Sequence, residues 1–289
     1  FTRYGIGDKP FAGPNPPSGA IITYFLKDKL DAKTTVKLQI LDSNGKVIRE
    51  IPNIPKEKGF NRASWDLAVD GATQRRQLTP EQLEQLGGGF GFRPRGPQVL
   101  PGLYTVKLVV GDKSQEKKVQ VGVDPTVKVT AADLQEQFDM SMKLQDMMSK
   151  VNVTLRTLDN VKDQLQQVER TVKAQMPDAP KELTAAIADS IKQIDGEINK
   201  LASRAGGDSE GGLQGGKLMI SDKLSSLFGT IQGVNAAPTK AQKEFFAEIQ
   251  PEFQTQIVEA DKFIREQLSK VNDPLKKHNA PTVILSKTN

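Results

Sequence analysis

The sequence predicts β and α structure in separate domains: an antiparallel immunoglobulin-like β-sandwich followed by an up-and-down four-helix bundle. Three observations predict it. At 289 residues the chain is long enough for two cores of ordinary size. Up to about Asp124 it is punctuated by Pro and Gly and alternates with period two, and beyond that point apolar residues recur every three or four positions. The expected domains are therefore a sandwich over 1–126, with an N-terminal extended segment and a long inserted loop at 71–99, and a helical bundle over 127–289, with a Gly-rich loop at 206–216 and an extended C-terminal tail.

Each strand has its own signal. Gly19 to Leu26 is β-branched and aromatic, and Val36 to Leu41 alternates as a strand with one buried face does. Asp42-Ser-Asn-Gly45 supplies turn residues, and Lys46 to Ile51 returns, which makes a hairpin. Gly59 to Leu67 offers Phe60, Ala63, Trp65 and Leu67 to a core, with Trp65, the chain's one tryptophan, as the plug between two sheets. Pro101 to Val110, with Leu103, Val106, Leu108 and Val110 as burial candidates, and Glu116 to Val123 form a second hairpin across Gly111-Asp-Lys.

The helices are equally marked. Thr130 stands at an N-cap with Asp133 three residues on, and Val151, Leu158, Leu165 and Val172 recur every seven residues, so a long helix runs to about Met176 and stops at Pro177. The same heptads would also suit pairing with a helix of another chain, but three further amphipathic helices can cover the stripe internally. Pro180 opens a second helix carrying Leu183, Ile187, Ile191, Ile194, Ile198 and Leu201. Residues 206–216 have linker composition, with no Gly-Lys-Ser/Thr arrangement for a phosphate. Leu218 to Gln232 makes a third, shorter helix facing inward with Ile220, Leu224, Leu227 and Ile231, and a fourth runs from Thr239 with Pro251 expected to kink it or begin a new turn.

Composition narrows the chemistry. The chain has no Cys, which removes disulfides and thiolate ligands, and one histidine, His278, read as exposed in a polar stretch. No apolar run is long enough to cross a bilayer. The net charge of +5, about +6 before residue 127 and about −1 after it, is too dilute for a nucleic-acid surface. No nucleophile elbow, metal-spaced cluster or phosphate loop is present, so no catalytic, cofactor or metal residue is assigned. Asp66 and Asp124 are the carboxylates nearest to the motifs, and a pair of carboxylates held about 5 to 9.5 Å apart could cleave a glycosidic bond. Each also has a plain structural role, on the strand face opposite Trp65 and at the exit of the last strand.

Phe11-Ala-Gly-Pro-Asn-Pro-Pro-Ser-Gly-Ala20, Gly59 to Leu67, Pro101-Gly-Leu-Tyr-Thr-Val106 and Asp124-Pro125 occur together in an order that resembles the C-terminal region of bacterial secreted β-propeller proteins of the sortilin-like, glycosyl-hydrolase-like Asp-box-repeat type. Ala237-Pro238-Thr239 at a helix start extends the likeness. The resemblance implies an accessory module in a larger protein, packed on an upstream β-propeller domain, secreted or periplasmic, with any catalytic carboxylates in that propeller. It implies no cofactor. Residues 71–99 depart from the pattern by their length and by Arg75, Arg76, Arg93 and Arg95 around Phe90 and Phe92. These six residues are the candidate interaction loop.

Function then reads as a non-catalytic accessory and interaction module that supports assembly or partner binding, with a homo-oligomer among the expected partners. The Met-rich patch Met140, Met142, Met147 and Met148 is either a pliable contact surface or core. The alternative is a carbohydrate-binding module, with the Phe90/Phe92 loop on a glycan, although one Trp and three Tyr are a thin aromatic supply.

Overall fold

The structure, a computed structural model, describes residues 19–31, 33–52, 54–76, 95–176, 178–203 and 218–285. Among them are strands β1 (Ala20–Leu26), β2 (Val36–Leu41), β3 (Val47–Pro52), β4 (Gly59–Trp65), β5 (Ala68–Asp70), β6 (Arg95–Gln98), β7 (Gly102–Val110) and β8 (Lys113–Val121). Four helices follow, α1 (Ala131–Gln175), α2 (Lys181–Leu201), α3 (Ile220–Gln232) and α4 (Lys240–Lys277). The mixed class, β structure first and helices after, is the one the sequence predicts. The described residues divide into two compact units, 19–68 with 103–120, and 69–76 with 95–102 and 121–285.

In the first unit β1 pairs antiparallel with β4, and a four-stranded sheet has the order β3-β2-β7-β8. The β2–β3 hairpin closes because the Asp42 carboxylate accepts from the amides of Asn44 and Lys46, both at 2.9 Å, while Gly45 takes φ 77°. Trp65 is fully buried and meets Tyr104 of β7 edge to face at 5.5 Å, so it joins the two sheets as a plug. Its indole N–H donates to the Ala68 carbonyl at 3.0 Å across Leu67, a non-glycine residue at φ 56°. That bond holds a backbone conformation that costs a branched side chain about 1 kcal/mol or more.

Two burial expectations fail for one reason. Phe60 is 82% exposed and Leu103 is 46% exposed. Phe60 is out of phase with Ala63 and Trp65, and Leu103 with Val106, so the pleat sends each to the opposite face. The inward positions that the apolar reading missed are Asn61, buried and bonded to the carbonyls of Glu57 and Gly59, and Tyr104.

The second unit is built on α1. Thr130 and Asp133 close the capping box that their spacing predicts. Leu144, Val151, Leu155, Leu158, Leu165 and Val172 enter one core with Ile187 and Ile194 of α2, Leu224 and Leu227 of α3, and Ile249, Phe253 and Ile264 of α4. α4 runs through Pro251 without interruption, because Ile249 and Phe253 on either side are each about 1% exposed and anchor both halves. At its end Asn279, at φ 52°, and Ala280 donate back to Lys276 and Leu275, a Schellman stop with asparagine where glycine is usual. The extended segment 280–285 is then clamped from two helices: Asn272 of α4 bonds both the amide and the carbonyl of Val283, and Gln164 of α1 does the same for Ile284.

The described ends of residues 71–99 group with the helices and not with the two sheets of the first unit. They contain strand β6 and follow β5, and these two strands pair with each other. Gly96 makes that pairing possible, since a Cβ there would lie 2.3 Å from the Asp70 carbonyl. Residues 70–75 are held along one face of α1. Gln145 donates to the Asp70 carbonyl at 2.9 Å, Ser149 accepts from the Thr73 amide at 3.1 Å, and Asn152 donates to the Thr73 carbonyl at 2.8 Å. Arg156 donates to the carbonyls of Gln74 and Arg75, and Asp159 receives the Arg75 guanidinium through two bonds of 2.7 Å. The spacings of four, three, four and three residues put all five side chains on one helical face.

Two outcomes test this packing. Burial pushes the Tyr24 phenol up to about 12, so the fold favours the neutral form. Its contribution is complete below pH 10 and is lost as pH rises from about 10 to 12. Unfolding free energies from urea titrations over that range should fall further for the native chain than for Tyr24→Phe, by about 2 kcal/mol at the alkaline end. A double-mutant cycle with Arg75→Ala and Asp159→Ala should return a coupling of about 1 kcal/mol, as a bidentate but partly solvated pair gives.

Candidate functional site

Antiparallel pairing of β1 with β4 sets Ile21 opposite Ser64, Thr23 opposite Arg62, and Phe25 opposite Phe60. Alternation turns these six residues to one face, while Tyr24 and Leu26 of β1, and Asn61, Ala63 and Trp65 of β4, are buried on the other. The outward face is apolar on either side of the central Thr23–Arg62 pair: Ile21 is 51% exposed and Phe25 58%, beside the Phe60 ring. The Phe25 and Phe60 rings meet edge to face, with centroids 5.2 Å apart and an interplanar angle of 61°. Arg62 stands among them and forms no ion pair among the described residues.

An exposed aromatic pair of this kind leaves unburied area that a partner surface can cover, at about 25 cal/mol per Å². Aromatic and Arg side chains are also those that concentrate binding energy at protein interfaces. Two rings inclined at 61° make this apolar surface contoured and not flat.

Of the six residues of the expected interaction loop, Phe90, Phe92 and Arg93 lie outside the described residues. Arg75 is engaged by Asp159, whose hydrogen bonds raise the guanidinium above its ordinary value. Arg76 is exposed at the end of the segment held on α1, and Arg95 is exposed at the start of β6. Asp66 lies in the first unit, 3.2 Å from the buried Arg49 guanidinium. Asp124 lies in the second, where it accepts from the hydroxyl and amide of Thr126, which hold its carboxyl below the usual range. Each carboxylate thus has a local structural partner.

Met147 is core, Met140 and Met148 pack against the core, and Met142 is half-buried, which is the packing reading of that patch. His278 is the half-buried C-cap of α4 and not an exposed tail residue. Among the described residues there is no group of three or more His, Cys, Asp or Glu side chains arranged to hold a metal ion, and no helix is long and apolar enough to cross a membrane. The exposed face of β1 and β4 is concealed because the apolar content of Gly59 to Leu67 assigns Phe60 to a core. The signal that could have found it is its phase relative to Trp65, five residues away and so on the opposite side of the strand.

No protein family matches the chain, and neither a curated protein nor a solved structure was found to be similar to it.

Proposed function

We propose that this chain is a non-catalytic accessory and interaction module, the C-terminal part of a larger secreted β-propeller protein. In this reading 1–126 is an immunoglobulin-like sandwich, although its middle excursion packs with the helices. The four helices of the second part form an up-and-down bundle. The sandwich docks on the propeller through the outward face of β1 and β4. The observation that carries the reading is the Phe25–Phe60 pair, whose rings contact each other and remain 58% and 82% exposed. The paired contact of Trp65 and Tyr104 supports the sandwich, and the shared core of α1 to α4 supports the bundle.

The test measures association between the propeller of the parent protein and this chain expressed separately, by calorimetry. Phe60→Ser, outside the core, should cost the fold no more than the lost aromatic pair, about 1 kcal/mol, and weaken association at least tenfold, about 1.4 kcal/mol. Association unaffected by Phe60→Ser and by Phe25→Ser would remove the docking face. Turnover of glycoside or ester substrates by this chain, lost in a folded Asp124→Asn variant, would overturn the non-catalytic reading.

A further inference from the structure

A strand at the edge of a sheet offers unpaired N–H and C=O groups to any extended chain, and proteins guard such edges with charge or proline. Among the described strands, β3, β4, β5, β6 and β8 each have an edge of this kind, and all are guarded. β3 carries Arg49, Glu50 and Pro52, β4 carries Arg62, β5 carries Asp70, β6 carries Arg95 and Pro97, and β8 carries Lys113, Glu116, Lys117 and Lys118. Among the described strands β1 has one neighbour, β4, and its seven residues Ala-Ile-Ile-Thr-Tyr-Phe-Leu contain neither charge nor proline. It is the unguarded edge, in a sheet of two strands that is below the size usually stable alone.

The composition of β1 also selects its partner. When a strand pairs antiparallel with its own copy across a two-fold axis, each residue meets the one equally distant from the centre. Centred on Thr23, β1 would set Thr23 against Thr23, Ile21 against Phe25, Ile22 against Tyr24 and Ala20 against Leu26 of the copy. Thr–Thr and aromatic–β-branched pairs are the favourable cross-strand combinations, and no like charges oppose one another. Self-pairing of β8 about its own centre would set Lys117 against Lys117, a repulsive pair. The inward side of β1 already faces its own core through Tyr24 and Leu26, so the pairing keeps the apolar faces in phase.

We propose that β1 is a homodimerisation strand, joining two copies of this chain edge to edge through Thr23 into a continuous four-stranded β4-β1-β1-β4 sheet. Ile21 and Phe25, 51% and 58% exposed in one copy, become cross-strand neighbours in the pair. The inference deepens the interaction-module reading, because it names a second copy as a partner. It leaves the outward aromatic face available for the other.

Sedimentation of the full chain over a range of concentrations tests it, with circular dichroism confirming the fold of each variant. Thr23 faces outward and is exposed, so Thr23→Lys and Thr23→Glu should both fold. The native chain should dimerise. Each variant alone should dimerise at least tenfold more weakly, because like charges then face each other on the axis, and an equimolar mixture of the two should recover a heterodimer. A native chain that stays monomeric at every concentration overturns the proposal, and so does a dimer indifferent to both substitutions or a mixture that recovers nothing. A monomer that still docks on the propeller through Phe60 sinks strand pairing alone, whereas a Thr23-dependent dimer that docks nowhere sinks the propeller reading alone.

Discussion

The organisation of the second unit depends on one face of α1 that recognises backbone. Gln145, Ser149, Asn152, Arg156 and Asp159 present donors and acceptors at helical spacing to the extended chain of residues 70–75. Four of the five address main-chain groups, which an extended segment must satisfy somewhere and which solvent would otherwise take. The apolar stripe of the same helix, from Leu144 to Val172, is committed to the shared core. One helix thus organises two kinds of partner, side chains on its buried stripe and a polypeptide backbone beside it. The amide clamps on Val283 and Ile284 repeat the device at the other end of the sequence.

A second network fixes the far side of the same excursion. The Gln232 side chain accepts from the Gln98 amide at 3.0 Å and donates to the fully buried Ser141 hydroxyl at 2.7 Å, so β6, α3 and α1 meet at one glutamine. Gln137 then donates to the Ile231 carbonyl at 2.6 Å, which supplies a partner to an otherwise orphaned group at the end of α3. The polar side chains of Ser141, Gln137 and Gln232 thus act as joints between elements of this unit. In the first unit the corresponding joint is Trp65, which fills the space against Tyr104 and steadies the turn through Leu67 where β4 ends. The first unit also presents an uncharged edge on β1 and an exposed aromatic pair beside it.

Much of this was legible in the sequence wherever a single periodicity governed. The capping box at Thr130 and Asp133, the heptad stripe of α1, and Ile220, Leu224, Leu227 and Ile231 of α3 follow from spacing alone, and all are found as read. Strand phase was less legible, because a list of apolar residues does not say which face each occupies. Phe60 and Leu103 illustrate this, and the missed phase hid the aromatic face. β5 and β6 are only three and four residues long, and β6 contains Gly96 and Pro97, so neither carries a strand signal of its own. Their place is set by polar side chains far along the chain, Gln145 of α1 for β5, 75 residues later, and Gln232 of α3 for β6, 134 residues later, a dependence that no local pattern records.

The central claim, that α1 holds residues 70–75 as part of the helical unit, is tested most directly by native-state hydrogen exchange across a denaturant series. The Thr73 and Gln98 amides, bonded to Ser149 and Gln232, should open with the same free energy and denaturant dependence as the amides in the middle of α1. Exchange of these two amides in step with β2 and β7, or at the rate of unprotected backbone, would contradict it.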